Sequence, residues 1–427
     1  MSVSQFSSRE QEKMAIILSA IKGKITNAHA AKQLRLSIRQ VQRAKVKIRL
    51  NGTAGIVHQL KGKPSNHQLD NRLKEKALEL VEEKYNDFKP TFAAEKLDEI
   101  HGLAVNPQTL RRWMATAGIW KTRKQKKSGE YHSWRPRKEN FGELEQFDGS
   151  YHFWFENRLV DKFGNPIEVC LLASIDDASG EITKAAFMAN EGVHAVFTFW
   201  KEYIEKTGKP LNIYLDKFST YKINHIAAVD NKELMTQFGR AMKNLAVNLI
   251  PANSPQAKGR IERLFKTLQD RLIKEMRLRE INTPEEGNKY LTEVFISKFN
   301  ERFSVKPRKA GDVHRKLTQR DKETINRIFS IQSIRVIKND FTIQFKTKWY
   351  QLVEIQPITV REKEKVLVEE WLDGTVHFSL KEKYLVYIKL PERPKKIKIN
   401  PAILTRHKLN WKPPEDHPWK KTYKAKS

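Results

Sequence analysis

Cysteine is nearly absent from this sequence, since Cys170 is the one cysteine among 427 residues. A single cysteine excludes an internal disulfide and any zinc site that needs several cysteine ligands. The residues around it, EVCLLASI, are mostly apolar. We therefore predict that Cys170 is a buried small hydrophobic residue.

Long apolar runs are missing as well. No stretch approaches the roughly 18 uninterrupted apolar residues of a membrane-spanning helix. The first residues, MSVSQFSSREQEK, lack the apolar centre of a signal peptide. These two absences predict a cytoplasmic chain without a membrane-spanning segment.

Acidic residues are too few to balance the basic ones. Lys and Arg number 80 against 50 Asp and Glu, which gives a formal net charge of +30. Such a positive field attracts polyanions and steers their encounter with the protein. Double-stranded DNA is the leading partner, and a membrane surface is the competing one. The chain also exceeds a typical domain of about 100–150 residues, so several domains are predicted.

Two groups of short helices are predicted before residue 120. In the first group, Ser37 can cap the helical pattern IRQVQRAKVKIRL, which would offer Arg39, Gln40 and Arg43 to a DNA major groove as in a helix-turn-helix. The alternative is a small helical bundle with a solvated basic face. In the second group, the helix NPQTLRRWMATAG exposes Arg111 and Arg112. The repetition of a basic helix-turn-helix pattern favours DNA binding.

Two segments near these helices are rich in basic residues. The segment KGKPS, residues 61–65, is more typical of a plain loop than of an arm that enters a DNA minor groove. The run KTRKQKKSGEYHSWRPRK, residues 121–138, contains Lys124 and is predicted to be a linker that follows phosphates. A simple flexible tether is the alternative for that run.

The middle of the chain mixes strands and helices in the order β-β-β-α-β-α-β-α, which predicts a mixed sheet with helices packed on it. The helix in ANSPQAKGRIERLFKTLQDRLIKE, residues 252–275, carries an apolar stripe with Glu262 at its border, beside Lys258, Lys266 and Gln269. If this helix packs across the end of the strand LNIYL, Glu262 approaches Asp216 at the strand end. Asp148, on the first strand, can approach from the neighbouring strand.

Three carboxylates at one edge of a sheet repel each other unless a positive charge lies between them. Mg²⁺ or Mn²⁺ suits such oxygen ligands. Two ions roughly 4 Å apart would activate an attacking hydroxyl and stabilise the leaving oxygen at a phosphodiester. The acid triplet is weak support by itself, because the chain has 50 acidic residues from which many triplets can be chosen.

Longer sequence motifs are more specific to a protein family than the three acidic residues are. GELEQFDGSYHFWFE, YLDKFSTY and SPQAKGRIERLFKTLQDRL resemble the two aspartate strands and the glutamate helix of DDE transposases, whose core is of the retroviral-integrase, RNase H-like type. FKPTFAAEKL and TLRRWMATAGIW resemble the DNA-binding region that precedes such cores, and the resemblance is greatest to ISNCY-type bacterial insertion-sequence transposases. It covers nearly the whole chain.

The resemblance implies that Asp148, Asp216 and Glu262 are catalytic ligands of two Mg²⁺ or Mn²⁺ ions. The basic residues around Glu262, namely Lys258, Arg260 and Lys266, are predicted to contact the DNA phosphates. It further implies a homo-oligomer of at least two subunits on paired transposon ends, associated with the bacterial nucleoid. The interval between Asp216 and Glu262 is long for such a core, so the segment KINHIAAVDNKEL is expected to form an additional loop or helix. The chain lacks the His-His-Cys-Cys zinc module of retroviral integrases.

The predicted fold is multidomain, with N-terminal all-α helix-turn-helix modules, a central α/β RNase H-like mixed sheet and a C-terminal small β-barrel. The domain limits are 1–56 and 57–120 for the two helix-turn-helix modules, 121–140 for the basic linker, 141–305 for the catalytic core, 306–330 for a helical connector, 331–390 for the barrel and 391–427 for a basic tail.

Three residues near the predicted acids are not assigned to the site. Asp176 and Asp177 fall in a hairpin turn, where aspartates commonly accept hydrogen bonds from backbone amides. His152 is interpreted as an ordinary strand residue. Two alternatives to a transposase are a catalytically silent DNA-binding regulator derived from one, and a nuclease of the same fold that cuts without joining.

Overall fold

The computed structural model describes residues 6–57, 69–121, 135–216, 231–252, 259–393, 412 and 414–417; for residues 216, 231–236 and 252 it describes the backbone alone. The chain divides into two compact units, Met1–Gly129 and Glu130–Ser427. The segment KGKPS and most of the basic linker and tail lie outside the described residues.

The first unit begins with three helices, where the sequence predicted the first group of short helices. They are α1 (Ser8–Ile21), α2 (Asn27–Leu34) and α3 (Ile38–Asn51). Each begins at a hydroxyl side chain, Ser7, Thr26 or Ser37, that accepts a hydrogen bond from a backbone N–H in the first helical turn. Their small core includes Ile17 and Val41, both fully buried.

A 3-10 helix (Gly52–Ile56) and three more α-helices follow in this unit. The α-helices are α4 (Asn71–Lys84), α5 (Pro90–His101) and α6 (Pro107–Thr116). Proline opens both α5 and α6, at the position where its missing N–H costs nothing. Gly102 ends α5 with a left-handed backbone, φ 65°, a conformation that a residue with a Cβ adopts at a cost.

The second unit contains a five-stranded mixed sheet in the predicted order of elements. Its members are β1 (Leu144–His152), β2 (Val169–Asp176), β3 (Ile182–Met188), α7 (Val193–Thr207), β4 (Asn212–Asp216), α8 (Asn231–Asn244), β5 (Asn248–Ala252) and α9 (Gly259–Leu278). In the sheet the strand order is β3-β2-β1-β4-β5. The first three strands are antiparallel, and β1, β4 and β5 run parallel.

Helices cover both faces of this sheet. On one face α7 and α8 pack on a cluster that includes Phe147, Trp200 and Leu215. On the other face α9 is followed by α10 (Pro284–Tyr290) and α11 (Ile296–Phe303), and their cluster includes Ala173 and Leu268. Alternation along β1 therefore assigns Phe147 to the first face and its neighbours, residues 146 and 148, to the face of α9.

A helix and two antiparallel sheets follow the core. They are α12 (Gln319–Ile328), β6 (Ile331–Val336), β7 (Thr342–Phe345), β8 (Lys348–Leu352), β9 (Lys365–Glu370), β10 (Val376–Leu380), β11 (Lys383–Tyr384) and β12 (Tyr387–Leu390). The strands form sheets of order β11-β10-β9-β6 and β12-β8-β7. One apolar cluster, with Ile343, Val366 and Phe378, draws on both. Closure into a barrel stays a prediction. None of the helices in the described part of the chain has the length and apolar character to cross a bilayer.

Cys170 is completely buried on β2, as predicted. Burial raises the pKa of its thiol above the ordinary value, so the thiol stays protonated at pH 8. Since the thiolate is the reactive form, we expect iodoacetamide to leave the native protein unlabelled at pH 8 and to label it after denaturation in urea. Mass spectrometry measures the adduct, and rapid labelling of the native protein would contradict the buried position.

Candidate active site

Asp148 lies in the middle of β1, on the face covered by α9. Two hydrogen bonds, one on each side of Asp148 along the strand, define how α9 runs along β1. The Oε1 of Gln146 accepts a hydrogen bond from the backbone N–H of Ile261, at 3.3 Å. The Nε2 of Gln269 donates to the Oγ of Ser150, at 3.4 Å. Residues 146, 148 and 150 share one face of the strand, so α9 passes over the position of Asp148.

Glu262 is in the first turn of α9, at the border of the apolar stripe, and is exposed. The residues of that stripe are all buried: Ile261, Leu264, Phe265, Leu268 and Leu272. Glu262, Lys266 and Gln269 are spaced by four and three residues and thus line one side of the helix. Because Gln269 contacts β1 and Ile261 does so next to Glu262, this side of α9 lies beside the strand that carries Asp148.

Asp216 is the last residue of β4, the strand parallel to β1. The ladder between the two strands runs from Leu144 opposite Asn212 to Gln146 opposite Tyr214. Asp148 and Asp216 each come two residues after the last of these pairs. The backbone therefore brings positions 148 and 216 to the same end of two neighbouring strands.

The arrangement of the three carboxylates around a metal stays a prediction. The side chain of Asp216 lies outside the described part of the structure. Among the side chains that are described, no three of the types His, Cys, Asp and Glu come together as a metal site.

The two aspartates of the hairpin turn are buried, and their carboxylates accept hydrogen bonds from backbone amides. Asp176 accepts from the N–H of Gly142 at 3.0 Å and from that of Ser179 at 2.7 Å. Asp177 accepts from the N–H of Lys138 at 2.9 Å. These bonds agree with a structural role for both aspartates. His152, the last residue of β1, contacts the ring of Trp154.

Comparison with known proteins adds the family. No family sequence profile matches this chain. It is 42% identical over 313 residues to the putative transposase y4bF of Sinorhizobium fredii, a match that covers 73% of this chain and 66% of that protein. It is 28% identical over 452 aligned positions to the transposase for insertion sequence IS1202 of Streptococcus pneumoniae, covering 97% and 94% of the two chains. The chain belongs to the insertion-sequence transposases.

Among solved structures, this transposase matches a chain of the simian T-cell lymphotropic virus intasome in complex with PP2A regulatory subunit B56 gamma. The identity is 14% and the TM-score 0.29, with 75% of the transposase and 100% of the other chain covered. A TM-score at this level does not define a common fold.

Two arginines predicted to contact DNA lie on α3 of the transposase. Arg39 and Arg43 are exposed. Gln40, predicted to contact DNA with them, is engaged within the protein: its Oε1 accepts from the N–H of Ser37 at 2.8 Å, and its own N–H donates to the Ser37 Oγ at 3.2 Å. This capping box stabilises the start of α3 and engages the Oε1 of Gln40.

The other predicted DNA contacts have different surroundings. On α6, Arg112 is exposed, whereas Arg111 is partly buried and donates to Gln108 at 3.1 Å. Lys266 on α9 is exposed. Lys124 and Lys258 lie outside the described residues. DNA contact by these residues stays a prediction.

Arg260 is held inside the transposase. Its Nη1 donates to the Asp177 Oδ1 at 2.6 Å and its Nη2 to the carbonyl oxygen of Arg135 at 3.1 Å. Burial lowers the pKa of its guanidinium from the ordinary value, and the Asp177 carboxylate opposes that change. In this structure the charge of Arg260 faces a buried carboxylate.

A further buried acid, Glu145, was not predicted from the sequence. Its carboxylate is completely buried on β1 and accepts a hydrogen bond from the Thr183 Oγ1 at 2.6 Å. Burial is the main cause that holds the pKa of Glu145 well above its ordinary range, and the nearby Asp176 carboxylate adds to it. One pattern in the sequence could have indicated this burial. Side chains alternate between the two faces of a strand, so Glu145 shares the apolar face of Phe147 rather than the face of Asp148.

Proposed function

We propose that this protein is a DDE transposase of the ISNCY type, which binds the terminal inverted repeats of its insertion sequence, cleaves DNA and joins the freed end to target DNA. The observation that carries the proposal is the parallel pairing of β1 with β4, which brings positions 148 and 216 together under the helix of Glu262. An RNase H-like core is the fold proposed for this sheet. The relatives named as transposases support the same function.

Asp148, Asp216 and Glu262 are proposed to hold two Mg²⁺ or Mn²⁺ ions. The groups around Asp148 fit a hard cation, because the same strand face offers the hydroxyl of Ser150, and Glu262 is open to solvent. In β4, Ile213 and Leu215 belong to the cluster on the opposite face, so alternation assigns position 216 to the face of α9. Bound ions would lower the pKa of a water molecule and stabilise charge on the leaving oxygen.

The proposed chemistry has two displacement steps at phosphorus. In the first, water attacks the phosphodiester at the transposon end, and the bond from phosphorus to the 3′ oxygen breaks, leaving a 3′ hydroxyl and a 5′ phosphate. In the second, that 3′ hydroxyl attacks a target phosphodiester, forms a new bond and releases a target 3′ hydroxyl. No covalent link between protein and DNA is needed.

DNA binding is assigned to the basic helices. Arg39 and Arg43 on α3 and Arg112 on α6 are exposed on helices that follow the proposed helix-turn-helix pattern. Lys266, exposed beside Glu262, is proposed to meet the DNA phosphates near the reacting bond. A homo-oligomer on paired ends is part of the proposal, since two ends must be joined to one target.

The test is an assay on a short duplex that ends in the inverted repeat flanking the gene, with product length read on a denaturing gel. We expect products longer than the substrate with the wild-type protein and none with Asp216→Asn. Shortened products alone would support a nuclease. Equal products from both proteins would remove the enzyme, and binding without any product would favour a DNA-binding regulator.

A further inference from the structure

The carboxylate of Asp177 accepts hydrogen bonds from several residues outside its own turn. It is completely buried, and its Oδ1 accepts from the Arg260 Nη1 at 2.6 Å and from the Gln146 Nε2 at 2.7 Å. The Nη2 of Arg135 donates to the same oxygen. The Oδ2 accepts from the N–H of Lys138 at 2.9 Å. We call these five residues the Asp177 hub.

The hub reaches the first turn of α9 by two routes. Arg260, the second residue of the helix, binds Asp177 directly. Gln146 donates to Asp177 with its Nε2 and accepts from the N–H of Ile261 with its Oε1, at 3.3 Å. The first N–H groups of a helix have no partner within the helix, so its first turn depends on such outside contacts. Glu262 is the next residue after these two anchored positions.

We propose that Asp177 is a positioning residue for Glu262: through Arg260 and Gln146 it fixes the first turn of the glutamate helix against β1, and so sets where the Glu262 carboxylate meets the metal ions. The inference rests on the proposed function and deepens it. It also changes the assignment of Arg260 from DNA contact to the support of a metal ligand. Groups that orient a metal ligand typically change metal affinity or activity by about 10–100-fold when removed.

The hub contains its own matched control. Arg135 and Arg260 both donate to the Asp177 Oδ1, but only Arg260 belongs to α9. Arg135→Gln leaves Asp177 paired with Arg260, and Arg260→Gln leaves it paired with Arg135. Each variant removes one guanidinium partner from the same carboxylate. The two variants therefore differ mainly in whether the contact between Asp177 and α9 is lost.

The experiment compares full-length wild type, Arg260→Gln, Arg135→Gln and Glu262→Gln without DNA, because the segment around Arg135 is itself proposed to follow phosphates. Mn²⁺ binding is measured by electron paramagnetic resonance, and amide hydrogen exchange by mass spectrometry of peptides covering residues 259–264. We expect Arg260→Gln to weaken Mn²⁺ binding about 10–100-fold and to speed exchange at these amides. Arg135→Gln should stay within about twofold of wild type in Mn²⁺ affinity.

Strand joining gives a further readout. With Arg260→Gln, the Mn²⁺ concentration needed for half-maximal joining should rise and the rate should recover at high Mn²⁺, whereas Glu262→Gln should not recover. Equal Mn²⁺ affinity and exchange in the two arginine variants would overturn the inference. If wild type and Glu262→Gln bind Mn²⁺ alike and join alike, the proposed function itself fails.

A second variant covers the case in which Arg260→Gln does not fold. Gln146→Leu breaks the other route without removing a charge from Asp177. We expect weaker Mn²⁺ binding and faster exchange at residues 259–264 in this variant too, with its melting temperature recorded beside that of Arg135→Gln. Wild-type values of Mn²⁺ affinity and exchange in a folded Gln146→Leu protein would count against the hub as a positioning device.

Discussion

Asp148→Asn and Glu262→Gln are each expected to lower the rate of strand joining on the order of a thousandfold, while affinity for the transposon end changes little. The physical reason is that a neutral amide is a poor ligand for a hard cation. The loss of several kcal/mol of charge stabilisation in the transition state corresponds to about three powers of ten in rate. Joining kinetics on a labelled duplex measure the first effect, and gel-shift titration measures the second.

A matched variant separates loss of a ligand from loss of a negative charge. Glu293 is exposed in the helical segment between α10 and α11. Glu293→Gln makes the same chemical change as Glu262→Gln outside the proposed site, and joining should continue at the wild-type rate. Full joining by Asp148→Asn or Glu262→Gln would rule out the proposed metal chemistry.

Affinity for a duplex carrying the inverted repeat should fall linearly on a plot of log affinity against log salt concentration. Each neutralised phosphate contributes a slope of about −0.9, so six to ten contacts weaken binding about 10³–10⁵-fold between 50 and 200 mM salt. The formal charge of +30 is the basis of this expectation. Fluorescence anisotropy over a series of salt concentrations measures the slope.

Removal of two exposed arginines tests where this charge acts. The double variant Arg39→Gln with Arg43→Gln should reduce the size of the slope by about two, roughly one for each phosphate that an arginine no longer neutralises. Lys346→Gln is the control, because the Lys346 ammonium is paired with Glu370 at 2.6 Å in the C-terminal sheets. A wild-type affinity independent of salt would show that the positive charge serves another purpose.

Much of the fold could be predicted because local patterns indicated its elements. The stripe from Ile261 to Leu272 follows the helical period, and all five of its predicted members are buried. Gly102 lies at the end of α5 and Pro107 at the start of α6, where backbone geometry leaves few choices. The core showed the predicted β-β-β-α-β-α-β-α order, since each strand and helix carries its own period.

The contacts of individual polar side chains could not be predicted in this way. The capping box between Ser37 and Gln40 and the pairing of Arg260 with Asp177 were not predicted. DNA contact by Gln40 and Arg260 stays a prediction. A hydrogen bond between residues 83 positions apart depends on how a strand and a helix cross, which no local period records.

The sequence by itself determined the basic character of the chain and its helices and strands, because charge and periodicity are properties of neighbouring residues. The three acids proposed for catalysis come from the resemblance of longer motifs to the DDE transposases. The tertiary structure decided that β4 pairs parallel to β1 and that α9 lies along β1 beside Asp148. It also decided that Asp177 anchors the helix of Glu262. Strand pairing and helix docking bring together residues distant in the chain, and the packing of the whole core selects among many possible partners.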